Sequence, residues 1–111
     1  MKQYEIWWAK LPAPAGKRPV LLLSRDAAYQ YLNKFLAVEI TTTIRGIAEE
    51  VALGRAEGMP KRCVANCDNI RTLPRSALTA KAGALAAGRQ TELKRALGHA
   101  LGWQELVELE D

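Results

Sequence analysis

From Tyr4 to Ala9 the chain alternates, with Tyr4, Ile6 and Trp8 on one face and Glu5 and Trp7 on the other, which is the two-residue period of a strand. Leu11 to Gly16 (LPAPAG) holds two prolines and a glycine, cannot extend a ladder, and reads as a short loop that leaves Lys17 and Arg18 at its exit. Pro19 to Ser24 (PVLLLS) is a nearly unbroken apolar run ending at a Ser-Arg-Asp cluster. That pattern predicts a strand covered on both faces, hence a central one. Asp26 to Leu32 predicts one short helical turn capped by Ser24 or Asp26, and Phe35 to Thr41 alternates again as a strand. In it Val38 and Ile40 share one face, and Glu39 and Thr41 share the other.

Thr41 to Gly46 (TTTIRG) is polar and ends in glycine, which predicts an exposed loop. Ile47 to Leu53 is a further strand candidate whose alternation Glu49 and Glu50 interrupt, and Gly54 to Lys61 is a turn. Cys63 to Thr72 predicts one or two strands, with Asn66 and Asp68 or Asn69 marking a bend between them. From Pro74 onward Ala, Leu, Lys and Arg replace the branched residues, so the sheet is expected to have ended. Leu93, Leu97, Ala100 and Leu101 recur at helical spacing and predict an amphipathic helix from about Arg89 to Leu101. Its other face carries Lys94, Arg95 and His99, and Gly102 supplies the cap. Trp103 to Asp111 fits helix or terminal strand equally. The sum is a mainly β chain with a C-terminal helix: a small, strongly bent antiparallel sheet or barrel whose loops carry function.

With 111 residues the chain has room for a single domain, residues 1–111. Its 49% hydrophobic and 25% charged residues mark a globular protein rather than a disordered one. The apolar run Val20 to Leu23 is far shorter than the ~20 residues of a membrane helix. With no charged-then-apolar leader, the expectation is a cytoplasmic protein away from membranes. A net charge of +4 favours an anionic partner. The two cysteines, Cys63 and Cys67, have no neighbouring histidine or second cysteine pair to complete a zinc site, and read as buried thiols. A single histidine, His99, argues against chemistry that needs two imidazoles. No metal or cofactor is expected.

Five segments then take on meaning together: Glu5–Ala9 (EIWWA), Gly16–Val20 (Gly-x-Arg-Pro-Val), Leu21–Ser24 (LLLS), Ile40–Thr42 (ITT), and Asp68–Thr72 (DNIRT) followed by Ser76 and Leu78. In this order and spacing they resemble the MazF/PemK-like toxins of bacterial toxin–antitoxin systems. The resemblance implies an SH3-like barrel, usually a homodimer. It implies a metal-independent endoribonuclease that cuts single-stranded messenger RNA at short sequences, leaving a 2′,3′-cyclic phosphate and a 5′-OH, and that a cognate antitoxin neutralises. By position, the family's loop arginine falls on Arg18 and its strand-end threonine on Thr41, the implied catalytic pair. The chain departs from the pattern in two places. Ala13, Pro14 and Ala15 occupy a stretch where some relatives carry acidic and amide residues, and Tyr4 stands where relatives often have glycine.

The chemistry suits that pair. A ribose 2′-OH attacking its own 3′-phosphate is already tethered, so the protein need only orient it and stabilise the added charge. Arg18 offers a planar, permanently charged fork for two phosphate oxygens, and Thr41 a hydroxyl that both donates and accepts. Glu39, two residues before Thr41, is either a base or an exposed strand residue paired with a lysine, and the latter is the expectation. Lys17, Arg25, Thr42, Thr43 and Arg45 are the expected RNA-binding residues of a cationic groove. Trp7 could stack a base, but a core or dimer contact fits it better. Two alternatives keep the fold: a non-catalytic poison of DNA gyrase like the CcdB toxins, and a catalytically silent RNA-binding homologue.

Overall fold

The structure, a computed structural model, describes all residues from Met1 to Asp111. Six strands build one antiparallel sheet: β1 (Glu5–Lys10), β2 (Lys17–Leu22), β3 (Lys34–Thr41), β4 (Glu50–Leu53), β5 (Cys63–Pro74) and β6 (Leu78–Ala84). Their spatial order is β4-β5-β3-β2-β1-β6. The apolar run of β2 lies centrally, as its sequence demands, with Val20, Leu21 and Leu22 fully buried. Leu21 packs with Ile6, Val38 and Ile40 into one core, and Val20 and Leu22 pack with Phe35, Ala37 and Leu73 into a second on the opposite face.

Three helices follow or interrupt the sheet: α1 (Ala28–Tyr31), α2 (Gln90–Leu101) and α3 (Gln104–Val107). The helical spacing places Leu93 and Ala96 of α2 in the first core beside Val51 and Leu85. Gly102, with φ at 69°, ends α2 in the left-handed conformation that costs glycine nothing. None of these helices is long and apolar enough to cross a membrane.

The two outer strands, β4 and β6, share no ladder, so the curled sheet is not a closed barrel. Their neighbourhoods meet instead through two glycines. A Cβ on Gly83 of β6 would stand 1.8 Å from the carbonyl oxygen of Glu57, and one on Gly58 would stand 2.3 Å from that of Ala82. The turn Arg55–Glu57 that follows β4 therefore lies backbone to backbone on β6. Glu57 fixes this turn: its buried carboxylate accepts the Gly54 N–H at 2.7 Å and pairs with Arg89 at 3.4 Å. Arg89 also grips Glu92, tying the turn to the start of α2.

Several expectations are corrected. The sheet does not end at Pro74: Leu78–Ala84 forms β6, where Ala80 and Gly83 are poor strand formers held by pairing with Trp8 and Ile6 of β1. Cys63 to Thr72 lies within one strand running to Pro74, and the bend expected at Asn66 to Asn69 is internal to it. The β3 register passes from Val38↔Ile70 to Ile40↔Ala65, so β5 carries extra residues there, and Asn66 Oδ1 accepts the Asp68 N–H at 3.0 Å. Neither Ser24 nor Asp26 caps α1. Ser24 accepts the Leu36 N–H at 2.9 Å and Asp26 accepts the Gln3 N–H at 2.8 Å, stitching neighbouring segments instead. The strand expected from Ile47 starts only at Glu50, and the C-terminal tail forms α3. Lys17 and Arg18 open β2 rather than precede it. Tyr4 adopts φ of 74°, a left-handed conformation that glycine would take without steric cost.

A candidate active site between two clefts

The register of β2 on β3 pairs Val20 with Glu39, and continuing it by two residues sets Arg18 opposite Thr41. Both residues line two adjoining clefts. The first, of about 210 Å³, is walled by Trp8, Pro19, Met59 and Pro60 and carries Lys17, Thr42 and Lys61. The second, of about 230 Å³, is entirely polar, with Thr43, Arg45, Asn66 and Asn69 around the same Arg18 and Thr41.

Each member of the pair is held from behind. Thr41 Oγ1 accepts the Thr43 N–H at 3.1 Å, which fixes the hydroxyl and leaves its proton free to be donated. Arg18 is about one-third exposed, and its Nη1 lies 3.5 Å from Glu39 Oε1. The other oxygen of Glu39 is held by Arg71 Nε at 2.5 Å. Glu39 is only 8% exposed, so the expectation of an exposed strand residue paired with a lysine is overturned: it is a buried carboxylate bridging two guanidiniums. Glu50, whose charge interrupted the strand pattern, accepts the backbone N–H groups of Arg45 and Gly46 at 2.9–3.2 Å and so shapes the rim of the polar cleft.

Of the residues expected to bind RNA, Lys17 and Thr42 line the first cleft and Thr43 and Arg45 the second. Arg25 lines neither; it is exposed in the turn before α1. The tryptophan at the site is Trp8, with the Lys17 ammonium 5.5 Å from its ring centroid, while Trp7 donates its indole N–H to Glu5 and packs against the second core. Sequence reasoning did not reach Lys61, Asn66, Asn69 or Arg71. The last three lie in or beside the DNIRT motif, but only the bulge in β5 determines which of them reach the clefts.

Chemically the site supplies cations, hydroxyls and amides. Neither cleft is lined by a carboxylate or an imidazole. Cys63, on the wall of the first cleft, is buried, and burial together with the charge of Glu57 pushes its thiol up, away from a nucleophilic thiolate. Such a site can clamp a phosphate and stabilise charge developing on it.

Comparison with known proteins agrees with this chemistry. The model of the PemK-like, MazF-like toxin family of type II toxin–antitoxin systems matches residues 2–101. The chain is similar to a probable endoribonuclease MazF5 of Mycobacterium tuberculosis, 39% identical over 94 residues that span 84% of this chain and 85% of that protein. It is also similar to a probable endoribonuclease MazF2 of the same species, 37% identical over 92% of this chain and 99% of the relative. Among solved structures, the M. tuberculosis toxin MazF-mt6 superposes with a TM-score of 0.83 at 35% identity, covering 88% of this chain and 96% of that one. A mycobacterial endoribonuclease in complex with its cognate antitoxin superposes with a TM-score of 0.80 at 27% identity, covering 93% and 96%.

Proposed function

The chain belongs to the PemK-like, MazF-like toxin family of type II toxin–antitoxin systems, and we propose from that premise that it is a toxin endoribonuclease that cuts single-stranded messenger RNA in the cytoplasm without a metal ion. The observation that carries the mechanism is the placement of Arg18 and Thr41 on the border shared by two clefts. A phosphodiester lying across that border meets the Arg18 fork and the Thr41 hydroxyl together. The adjacent 2′-oxygen bonds to phosphorus, the bond from phosphorus to the 5′-oxygen breaks, and the products are a 2′,3′-cyclic phosphate and a 5′-OH. The 2′-OH loses its proton and the departing 5′-oxygen gains one. Arg18 stabilises the charge on the phosphorane oxygens, a task for a cation whose pKa above about 12 makes it a poor proton donor. Thr41 orients the phosphate through the proton that its bond from Thr43 leaves free.

The basic clefts also suit an acidic, partly disordered antitoxin that folds onto them and displaces RNA, and the family resemblance supports a homodimer. The deciding experiment incubates purified protein with single-stranded RNA in EDTA. Cleavage leaving a 2′,3′-cyclic phosphate, slowed on the order of 10²- to 10³-fold by Arg18→Ala, is the expected result. RNA retention without cleavage, or inhibition of DNA gyrase, overturns it.

A further inference from the structure

The two clefts that meet at Arg18 and Thr41 are chemically unlike. Trp8, Pro19, Met59 and Pro60 make the first largely apolar beneath its lysines, and the second has no apolar residue in its lining. A phosphodiester at their border carries one nucleoside on each side. We propose that the Trp8 cleft is a stacking subsite that takes the nucleobase on one side of the cut whatever its identity, and that base choice is made on the other side by the Asn69 amide. The inference rests on the endoribonuclease reading and assigns the two halves of its substrate.

The position of Trp8 follows from the strand period. Ile6 on the same face is buried in the first core, and two residues later the alternation carries Trp8 to the core's edge, where it forms the wall of the cleft. Beyond it an open groove lined by Trp8, Arg55, Gly58, Met59 and Pro60 continues the same apolar surface. The face of the indole is accessible, because the Lys17 ammonium already sits over it at 5.5 Å. Lys17 is exposed, so a base can take its place while the ammonium moves to a phosphate. Stacking is tolerant of sequence because every base has a π-face.

In the polar cleft the two amides differ in freedom. Asn66 is buried, and its carbonyl oxygen is committed to the Asp68 N–H. The Asn69 side chain is exposed and enters none of the side-chain hydrogen bonds of the chain, which leaves both ends of its amide for a base edge.

The test begins by mapping the cut on a long transcript. Binding is then measured with short oligonucleotides made uncleavable by a 2′-deoxy substitution at the cut. Each position flanking the cut carries, in turn, every base or an abasic residue. On one side the wild type is expected to accept all four bases and to lose affinity about 5- to 160-fold for the abasic residue. Trp8→Ala loses the same amount with an intact oligonucleotide and nothing more with the abasic one, whereas Trp8→Phe retains most of the affinity. Asn69→Ala relaxes the base preference on the other side. Equal, additive losses from Trp8→Ala and from the abasic residue overturn the subsite, as does base discrimination on both sides. A wild-type protein that cuts no RNA overturns the endoribonuclease reading itself, a result distinct from cutting without coupling.

Discussion

Glu39 Oε1 lies 3.5 Å from Arg18 Nη1, and the carboxylate that makes this pair is all but removed from solvent. A guanidinium on a long side chain would otherwise sample many rotamers, and the buried acceptor narrows that set at the border of the clefts that Thr41 also lines. On the proposed mechanism, replacing Arg18 by alanine removes the cation that stabilises phosphorane charge. The expected loss in cleavage rate is on the order of 10² to 10³, with the thermal midpoint little changed because Glu39 keeps Arg71. Arg18→Lys recovers only part of the rate, since an ammonium cannot hold two phosphate oxygens in one plane. Single-turnover kinetics on a defined oligonucleotide measure both.

Glu39→Gln tests the support behind Arg18. The carboxamide cannot offer two anionic oxygens to the guanidiniums of Arg18 and Arg71, which then face each other without a counter-charge. We expect kcat to fall about tenfold with little change in KM, and stability to fall by about 1–3 kcal/mol, the cost of disrupting a buried hydrogen-bonded group. Urea unfolding and steady-state kinetics separate the two effects.

The sequence disclosed the parts of this site that depend on local pattern. The central β2 strand, the loop after Thr41 and the C-terminal helix follow from runs, periods and turn residues, whereas the pair Arg18 and Thr41 is singled out only by the family resemblance. What it concealed depends on pairing between distant segments. Glu39 reads as a solvent-facing strand residue until β5 is laid beside β3 and brings Arg71 to it across 32 positions. The Ala- and Gly-rich β6 has no strand signature of its own, and at Gly83 the missing side chain answers the close approach of the Arg55–Glu57 turn rather than any intrinsic propensity. Arg25 belongs with the other basic residues by composition, and only the turn before α1 takes it elsewhere.

That close approach makes Gly83 a point of steric control. An added Cβ would meet the Glu57 carbonyl oxygen at 1.8 Å, and both partners are backbone, so neither can move without shifting β6 or the turn. Gly83→Ala is therefore expected to destabilise by about 1–3 kcal/mol or more. Gly88→Ala, with nothing within 4 Å of the new methyl, is the control and should be neutral or slightly stabilising. Denaturant midpoints decide between them.

The thiols give a second measure of native integrity. Burial pushes Cys67 up to about 12, with the charges of Asp68 and Glu49 adding to it, and pushes Cys63 in the same direction. Alkylation of the native protein at pH 8.5 should be slow at both and become rapid in denaturant. A folded thiol that holds its proton longer than the unfolded one stabilises fully below the ordinary value of 9.0, and that contribution is lost as pH rises from there towards about 12. Cys67→Ala should therefore flatten the alkaline limb of stability against pH.

Glu5 sets the opposite limb. Burial alone would raise its pKa, but the Trp7 indole N–H at 3.0 Å, the Lys81 ammonium at 3.1 Å and the Lys2 backbone N–H at 3.0 Å outweigh burial and hold the carboxyl below its ordinary 4.5. The unfolded chain consequently takes up a proton before the folded one as pH falls. The stability contributed by Glu5 is present above about pH 4.5 and is lost on acidification through the lowered native value. The pair with Lys81 is partly exposed, so the contribution is worth about 1 kcal/mol or less and shrinks with salt. Glu5→Gln should lower the urea midpoint at pH 7, and the gap between wild type and variant should narrow progressively as pH falls below about 4.5. If the two curves stay parallel across that range, Glu5 acts through packing alone and the charge-assisted bonds contribute nothing.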